Sequence, residues 1–272
     1  MLSDITIGQY YKGNSLIHKM DARTKIILTV LFILMIFLCK NYISLALMGV
    51  FVLVSIAFSG VPVMMYLKSL KPIIPIVLFT AVLNIFYISG GSWEIPLFLG
   101  LKITEKGVST AIFMAIRIVC LIVASSILTY TTVPTMLTDA IEKLLSPLKI
   151  FKIPVHTLAM MMTLALRFIP TLIEEIEKIT NAQKARGADF ESGKFMDRVK
   201  AVIPILIPLF VSAFRRAYEL AFAMSCRCYT GGEGRTRMKQ MKFHLRDGAG
   251  FIFFVAGITG VVLLNNYFGA VI

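Results

Sequence analysis

Residues 156–186, HTLAMMMTLALRFIPTLIEEIEKITNAQKAR, decide how this chain must be arranged. Apolar residues recur there every three or four positions, which is the spacing of one helical face. The first half is apolar almost all round, whereas three glutamates and two lysines lie between residues 174 and 184. Because such a charged end is too polar for lipid, we expect a helix that leaves the membrane and presents this end to the cytoplasm.

A second segment, residues 195–228, repeats this character. Its apolar positions again follow steps of three and four residues, so it is predicted to form a second long amphipathic helix. Pro170 lies inside the first segment, and Pro204 and Pro208 lie inside the second. We expect these prolines to kink the two helices without ending them.

Each segment reaches an arginine held between small residues: Ala185, Arg186 and Gly187 in the first, and Cys226, Arg227 and Cys228 in the second. A cation at a helix C-terminus gains about 0.3–1 kcal/mol from the helix dipole, which explains Arg186 without any function. Small flanking residues also let a long side chain enter a groove, where a guanidinium can bind a carboxylate through two hydrogen bonds. The pattern therefore predicts two docking tips for a two-lobed partner. Since Cys228 is not glycine, the second helix is expected to end later, at Gly231 and Gly232.

The composition identifies an integral membrane protein. Of 272 residues, 57% are hydrophobic and 16% are charged, and the mean hydropathy is +0.81. Soluble domains are rarely this apolar. We predict an all-α polytopic membrane protein with about five transmembrane helices and a cytoplasmic domain of long amphipathic coupling helices, and residues 63–71 along the inner interface. The predicted spans are residues 26–39, 43–59, 72–87, 106–130 and 248–268, and the predicted domains are 1–131 (four spans), 132–247 (cytoplasmic) and 248–272 (last span).

The net charge of +13 is distributed unevenly. Lysine and arginine concentrate near residues 12–25, at Lys68 and Lys71, and in the tract 143–246, whereas the other connections are almost neutral. This asymmetry is the positive-inside pattern, which places the N-terminus in the cytoplasm and the C-terminus outside. The basic tract lacks the interleaved aromatic residues of a nucleic-acid surface, so no nucleic-acid partner is expected.

No catalytic constellation is recognisable in the sequence, and no cofactor is expected in this chain. Residues 187–194 approach a phosphate-binding loop, but the glycine spacing is one residue too long and Phe195 replaces the Mg²⁺-binding hydroxyl. The four cysteines follow no metal-ligand spacing with histidine, so no metal site is expected. Arg117, near the middle of the fourth span, is an intramembrane charge of unknown role, for which a structural arginine bound by carbonyls or by hydroxyls such as Ser125 and Thr80 is the favoured interpretation.

Three segments carry a family resemblance. Residues 182–187 (AQKARG) resemble the small-Arg-small motif of the transmembrane T component of energy-coupling factor (ECF) transporters, the EcfT/CbiQ family. Residues 15–25 (SLIHKMDARTK) are similar to the N-terminal signature of that family, with Ala22 in place of its proline, and residues 166–170 (LRFIP) also look familial. The second tip departs from the family's usual Ala-Arg-Gly or Ala-Arg-Ser but keeps its small flanks.

The resemblance implies a non-catalytic scaffold in the cell membrane of a prokaryote. Two cytoplasmic ABC ATPases of the EcfA type, which hold the ATP and Mg²⁺, would receive the two arginine tips. A separate substrate-binding S component would be held by the membrane part and by the coupling helices, with Met160, Met161 and Met162 as candidate contacts because thioethers adapt to different surfaces. The cargo would be a vitamin or a transition metal. The alternatives are a conventional ABC importer permease, which needs polar groups lining a substrate path, and a membrane-bound enzyme.

We predict that a cysteine placed at Glu94 is labelled by an impermeant reagent added to intact cells, and that one at Arg235 is not. The charge asymmetry between the connections is the reason. The labelling is measured in a background without the four native cysteines, with a lysed-cell sample as control. The reverse pattern would contradict the predicted topology.

Overall fold

The structure, a computed structural model, describes residues 10–88, 90, 94–96, 102–151, 154–188, 195–231 and 243–268. The chain divides into two compact units. The first, here called the bundle unit, comprises residues 8–140 and 241–272, and the second, the long-helix unit, comprises residues 141–240 with residues 1–7. The predicted domain limits at residues 132 and 248 concern the membrane boundary and stay a prediction. Gly232, Lys194, Arg235 and Ile272 lie outside the described residues.

The described chain is almost entirely helical, which confirms the predicted class. The helices are α1 (Ala22–Leu38), α2 (Tyr42–Ser59), α3 (Val63–Leu70), α4 (Ile74–Tyr87), α5 (Glu105–Thr131), α6 (Pro134–Leu144), α7 (Val155–Ala185), α8 (Phe195–Cys226) and α9 (Leu245–Phe268). Two short strands that the sequence analysis did not predict, β1 (Glu94–Pro96) and β2 (Lys102–Thr104), pair antiparallel with Ile95 opposite Ile103. As predicted, the internal prolines of α7 and α8 do not end these helices.

Membrane-spanning character is confirmed, but the number of candidate spans differs from the predicted five. Six helical stretches of the described chain are long and apolar enough to cross a membrane: Tyr42–Ser59, Val63–Tyr87, Glu105–Thr131, Val155–Ala185, Lys200–Cys226 and Leu245–Phe268. Two of the six, α7 and α8, were not among the predicted spans; each contains an apolar stretch long enough to qualify, although they are the least apolar of the six. The predicted first span, α1, is not among the six because it has only 17 residues.

The structure adds detail at two places in the first half of the chain. α1 begins at Ala22, ahead of residue 26, because the carboxylate of Asp21 accepts a hydrogen bond from the backbone N–H of Arg23 at 3.0 Å and caps the helix. The predicted placement of residues 63–71 along the inner interface stays a prediction. A 3₁₀ turn at Lys71–Ile73 joins α3 to α4 in one continuous helical stretch, with Pro72 at a first-turn position that needs no N–H donor.

The core of the bundle unit lies where α1, α2, α5 and α9 meet. Ile36 and Phe113 are completely buried there, and Leu45, Met48 and Val261 are almost so. Because lipid tails are as apolar as these side chains, close packing between the helices stabilises this core more than removal from water does. Most side chains on the outer faces of the same helices are apolar and exposed, as expected for helices that face lipid.

Polar contacts tie together the end of the bundle unit where α1 and α9 begin and α5 ends. We call residues 11–25, which form most of these contacts, the N-terminal clamp. Ser15 Oγ lies 2.6 Å from His18 Nδ1, and His18 Nε2 lies 2.8 Å from the carbonyl oxygen of Tyr11. The backbone N–H of Tyr11 in turn donates to the carbonyl of Tyr130 on α5 at 2.9 Å. The signature-like segment 15–25 therefore has a structural role in this fold.

The clamp reaches the two other helices through one lysine and one aspartate. Lys25 Nζ donates to the carbonyl of Thr131, the last residue of α5, at 2.9 Å. Asp247, which is 2% exposed, accepts hydrogen bonds from the backbone N–H groups of Asp21 at 2.9 Å and His244 at 2.8 Å. A single carboxylate thus joins the starts of α1 and α9.

We predict that Asp247→Ala destabilises the protein by about 1–3 kcal/mol, because it leaves two backbone N–H donors without their acceptor in a buried position. The melting temperature in detergent, measured by tryptophan fluorescence or by aggregation after heating, should fall. Glu174→Ala, which removes an exposed carboxylate, is the control. An unchanged melting temperature for Asp247→Ala would contradict this role.

Candidate functional site

The two long helices α7 and α8 lie side by side and run in opposite directions. Glu175 on α7 accepts hydrogen bonds from Ser212 and, at 2.9 Å, from Arg216 on α8. Earlier on α7, the sulfur of Met160 accepts a hydrogen bond at 3.1 Å from the hydroxyl of Tyr229, which follows α8. Low residue numbers on α7 therefore meet high numbers on α8. The C-terminus of each helix therefore lies near the N-terminus of the other.

The motif residue Arg167 lies in the same pair of helices. Together with Arg216 and Glu219 it lines a small cleft between α7 and α8, whose apolar wall is formed by Leu164, Phe168 and Leu220. Arg167 is itself exposed. The LRFIP segment thus contributes to the contact between the two long helices.

α7 ends in a Schellman motif at the first arginine tip. The backbone N–H of Ala188 donates to the carbonyl of Gln183 at 3.0 Å, and that of Gly187 donates to Lys184 at 2.9 Å. Gly187 has a φ of +89°, the left-handed conformation that this motif requires and that glycine adopts without steric cost. Arg186 is the residue between the helix and this glycine, which confirms that the helix ends there.

α8 ends in the same motif, residue for residue. The N–H of Tyr229 donates to the carbonyl of Met224 at 3.1 Å, and that of Cys228 donates to Ser225 at 2.9 Å. Cys228 therefore stands where Gly187 stands in the first tip, and its φ is +54°. The prediction that α8 continues to Gly231 and Gly232 was wrong. The cause is that Cys228 adopts the left-handed conformation despite a steric cost of about 1–2 kcal/mol for a residue with a Cβ atom.

The two caps present the two arginines in equivalent ways. Both arginines and all four of their small neighbours are exposed to solvent. Because Tyr229 lies beside Met160 near the start of α7, the tip at Arg227 and the tip at Arg186 are separated by nearly the length of α7. At a rise of 1.5 Å per residue, this separation is roughly 40 Å. The predicted docking role of these six residues stays a prediction.

The methionines predicted to contact another protein do not share one environment. Met160 is partly buried and binds the hydroxyl of Tyr229, so it belongs to the contact between the two long helices. Met161 and Met162 are 50% and 46% exposed. Only these two present thioether surface that a partner could cover, and that contact stays a prediction.

An exposed apolar face on α8 was missed by the sequence analysis. It is formed by residues spaced three or four apart, and their side chains are between 47% and 75% exposed: Ile203, Ile207, Val211, Phe214, Tyr218 and Phe222. The helical spacing of this segment also fits a neighbouring stripe through Val202, Leu206 and Phe210. Since α8 is apolar over most of its circumference, periodicity alone did not identify the face that lies away from α7.

Arg117 has a structural partner in the bundle unit. Its Nη2 donates to the carbonyl of Cys39, at the C-terminal end of α1, at 2.8 Å, and its guanidinium lies 4.7 Å from the ring centroid of Phe113. The acceptor is a carbonyl, as the structural interpretation expects, but neither Ser125 nor Thr80 provides it. A cation at this position is favoured by the dipole of α1. Among the described residues, no three His, Cys, Asp or Glu side chains converge as metal ligands.

Comparison with known proteins agrees with these features. Residues 13–238 match the CbiQ family, which is described as cobalt transport protein. The chain is 54% identical over 271 residues to the energy-coupling factor transporter transmembrane protein EcfT of Ruminiclostridium cellulolyticum, covering 98% of this chain and 100% of that protein. The EcfT of Clostridium kluyveri is 49% identical over 264 residues, with 97% and 96% covered. The EcfT of Bacillus subtilis is 48% identical over 249 residues, with 91% and 93% covered.

These matches extend over nearly the whole chain and include both arginine tips and the N-terminal clamp. The family resemblance of the sequence motifs is confirmed, and the relatives' role in transport across a membrane agrees with the apolar helices. The chain belongs to the EcfT/CbiQ family of transporter transmembrane proteins.

Proposed function

We propose that this chain is the energy-coupling scaffold of an ECF-type importer. In this proposal it transmits the ATP-driven motion of two cytoplasmic ABC ATPases of the EcfA type to a substrate-binding S component. The observation that carries the proposal is the pair of equivalent, exposed arginine tips on α7 and α8. The cargo class that follows from the family is a vitamin or a transition metal.

The separation of the tips supports docking to two ATPases. Two cations at opposite ends of a helix pair, roughly 40 Å apart, cannot enter one small pocket. They suit two equivalent grooves on a two-subunit partner, one groove for each tip. The left-handed residue after each arginine ends the helix at that arginine, whose side chain is exposed to solvent. Acidic or carbonyl acceptors in each groove would complete its hydrogen bonds.

The exposed apolar face of α8 supports a second, membrane-embedded partner. Phe214, Tyr218 and Phe222 are each more than 60% exposed, and lipid or apolar protein surface is the environment in which this costs nothing. We propose that the S component covers this face and the exposed surface of Met161 and Met162. A conventional importer permease would instead line a substrate path with polar groups.

The remaining parts of the proposal concern catalysis and placement. The chain would not itself hydrolyse ATP, and the ATP and Mg²⁺ would be held by the partner ATPases. It would lie in the cell membrane of a prokaryote, with the N-terminus in the cytoplasm and the C-terminus outside. Because the two tips lie at opposite ends of the antiparallel pair, α7 and α8 would lie along the cytoplasmic side of the membrane, so that both tips reach the ATPases.

We predict that the double variant Arg186→Ala with Arg227→Ala loses both ATPases. Truncating one interfacial arginine typically costs about 2–5 kcal/mol, because its acceptors are left buried and unpaired. A single variant should therefore weaken the complex, and the double variant should release the ATPases while keeping the S component. The measurement is a pull-down on the tagged chain, co-expressed with the ATPases and S components of the same genome.

A matched control replaces two exposed cations away from the tips, Lys178→Ala with Arg215→Ala. The double variant Arg186→Lys with Arg227→Lys should restore binding only partly, because an ammonium cannot form two parallel hydrogen bonds to a carboxylate. Full binding by the double-lysine variant would favour the dipole explanation of the arginines. ATPase retention at wild-type levels by the double-alanine variant would refute the docking proposal.

We also predict that the backbone at Cys228 controls the second tip. Cys228→Gly should keep ATPase binding, because glycine adopts a positive φ freely. Cys228→Val should lower binding by up to about tenfold, because a β-branched residue at a positive φ is strained and the cap that orients Arg227 is lost. The same pull-down measures both variants, with Ser225→Val in the helix as control. Equal binding by the glycine and valine variants would show that the cap does not position Arg227.

A further inference from the structure

The bundle unit contains an apolar cavity that none of the contacts described above fills. It has a volume of about 390 Å³ and lies between α1, α2, α5 and α9, at the end held by the N-terminal clamp. Sites for small molecules typically have volumes of about 300–1,000 Å³. The walls are mainly aromatic and aliphatic, as shown by Phe32, Phe51, Phe58, Leu128 and Phe254.

Two cationic side chains line this cavity at the clamp end. Lys25 is 6% exposed, and its ammonium donates to Thr131 O at 2.9 Å, Thr132 Oγ1 at 3.3 Å and His18 O at 3.4 Å. All three acceptors are uncharged. Arg246, on the first turn of α9, also lines the cavity and is exposed, and it forms no hydrogen bond or ion pair within the described part of the chain.

The nearby acidic groups are already bound to other partners. Asp21 forms an ion pair with Arg23 at 2.6 Å, and Asp247 accepts two backbone N–H groups. The ammonium of Lys25 uses its three donors on neutral oxygens, and the carboxylates of Asp247 and Asp21 lie close enough to offset its charge. Arg246 has its donors available. The cavity therefore combines an apolar interior with one cationic side chain at its mouth, Arg246, whose donors are available to a ligand.

We propose that this cavity binds an anionic phospholipid, with one acyl chain between α1, α2, α5 and α9 and the phosphate at Arg246. Basic pockets between transmembrane helices bind anionic head groups in this way. The apolar walls suit the acyl chain of a phospholipid, which a free phosphate ion lacks. The cation at the mouth, Arg246, favours an anionic head group over a zwitterionic one. The bound lipid would fill the space between the clamp and the core and hold the helix ends together.

The test is native mass spectrometry of the full purified chain in the presence of equal amounts of phosphatidylglycerol and phosphatidylethanolamine. Wild type should retain phosphatidylglycerol in preference. Arg246→Gln should lower the phosphatidylglycerol-bound fraction about fivefold, as expected for one cation beside an anionic lipid. Ser55→Leu, which places a larger apolar side chain on the cavity wall, should reduce the retention of both lipids.

Matched controls are Lys68→Gln and Ser125→Leu, since both residues are exposed and neither lines the cavity. All variants are compared at equal elution volume and melting temperature, so that a folding defect is recognised. An excess of inorganic phosphate should not displace the lipid. The proposal is overturned if wild type retains no lipid or retains both lipids equally. It is also overturned if Ser55→Leu retains as much lipid as Ser125→Leu, or if phosphate competes fully.

Discussion

The last carbonyl groups of each helix need hydrogen-bond donors. The two units of this chain supply some of these donors in different ways. In the bundle unit some of these donors are cations that point inward. Arg117 binds the carbonyl at the end of α1, and Lys25 binds the carbonyl at the end of α5. In the long-helix unit the donors are backbone N–H groups of the Schellman motifs at Gly187 and Cys228. The arginines at those ends are thereby left to point outward.

This division connects stability with function. An inward cation fixes the position of one helix against another, because each of its hydrogen bonds joins two elements in a poorly solvated place. An outward arginine at a helix end contributes little to the fold, since an exposed cation gains only about 0.3–1 kcal/mol from the dipole. The free energy that such an arginine contributes therefore depends on the partner that binds it. The two caps share the same geometry within this one chain, down to a left-handed Cys228, and this agrees with the proposed docking role.

Much of this organisation could be predicted from the sequence, and the exceptions have physical causes. The periodicity and the glycine after Arg186 predicted the end of α7, whereas nothing in the local composition marks Cys228 as left-handed. The shared motif becomes visible in the backbone hydrogen bonds, which are equivalent in residues 183–188 and 224–229. The acceptor of Arg117 depends on tertiary packing, because the end of α1 is distant in sequence from the middle of α5. The sequence did not identify the exposed face of α8, because most of the circumference of that helix is apolar.

The central claim is that the two tips contact two different ATPase subunits, and photo-crosslinking tests it most directly. A photoreactive phenylalanine analogue is placed at Ala185 or at Cys226, each beside its arginine, in the assembled complex. The account predicts that either position alone captures one ATPase subunit, and that both together yield adducts containing two. At Tyr218, on the exposed apolar face, the analogue should instead capture the small membrane partner. Tips that capture only membrane proteins, together with ATPase captured at Tyr218, would contradict the account.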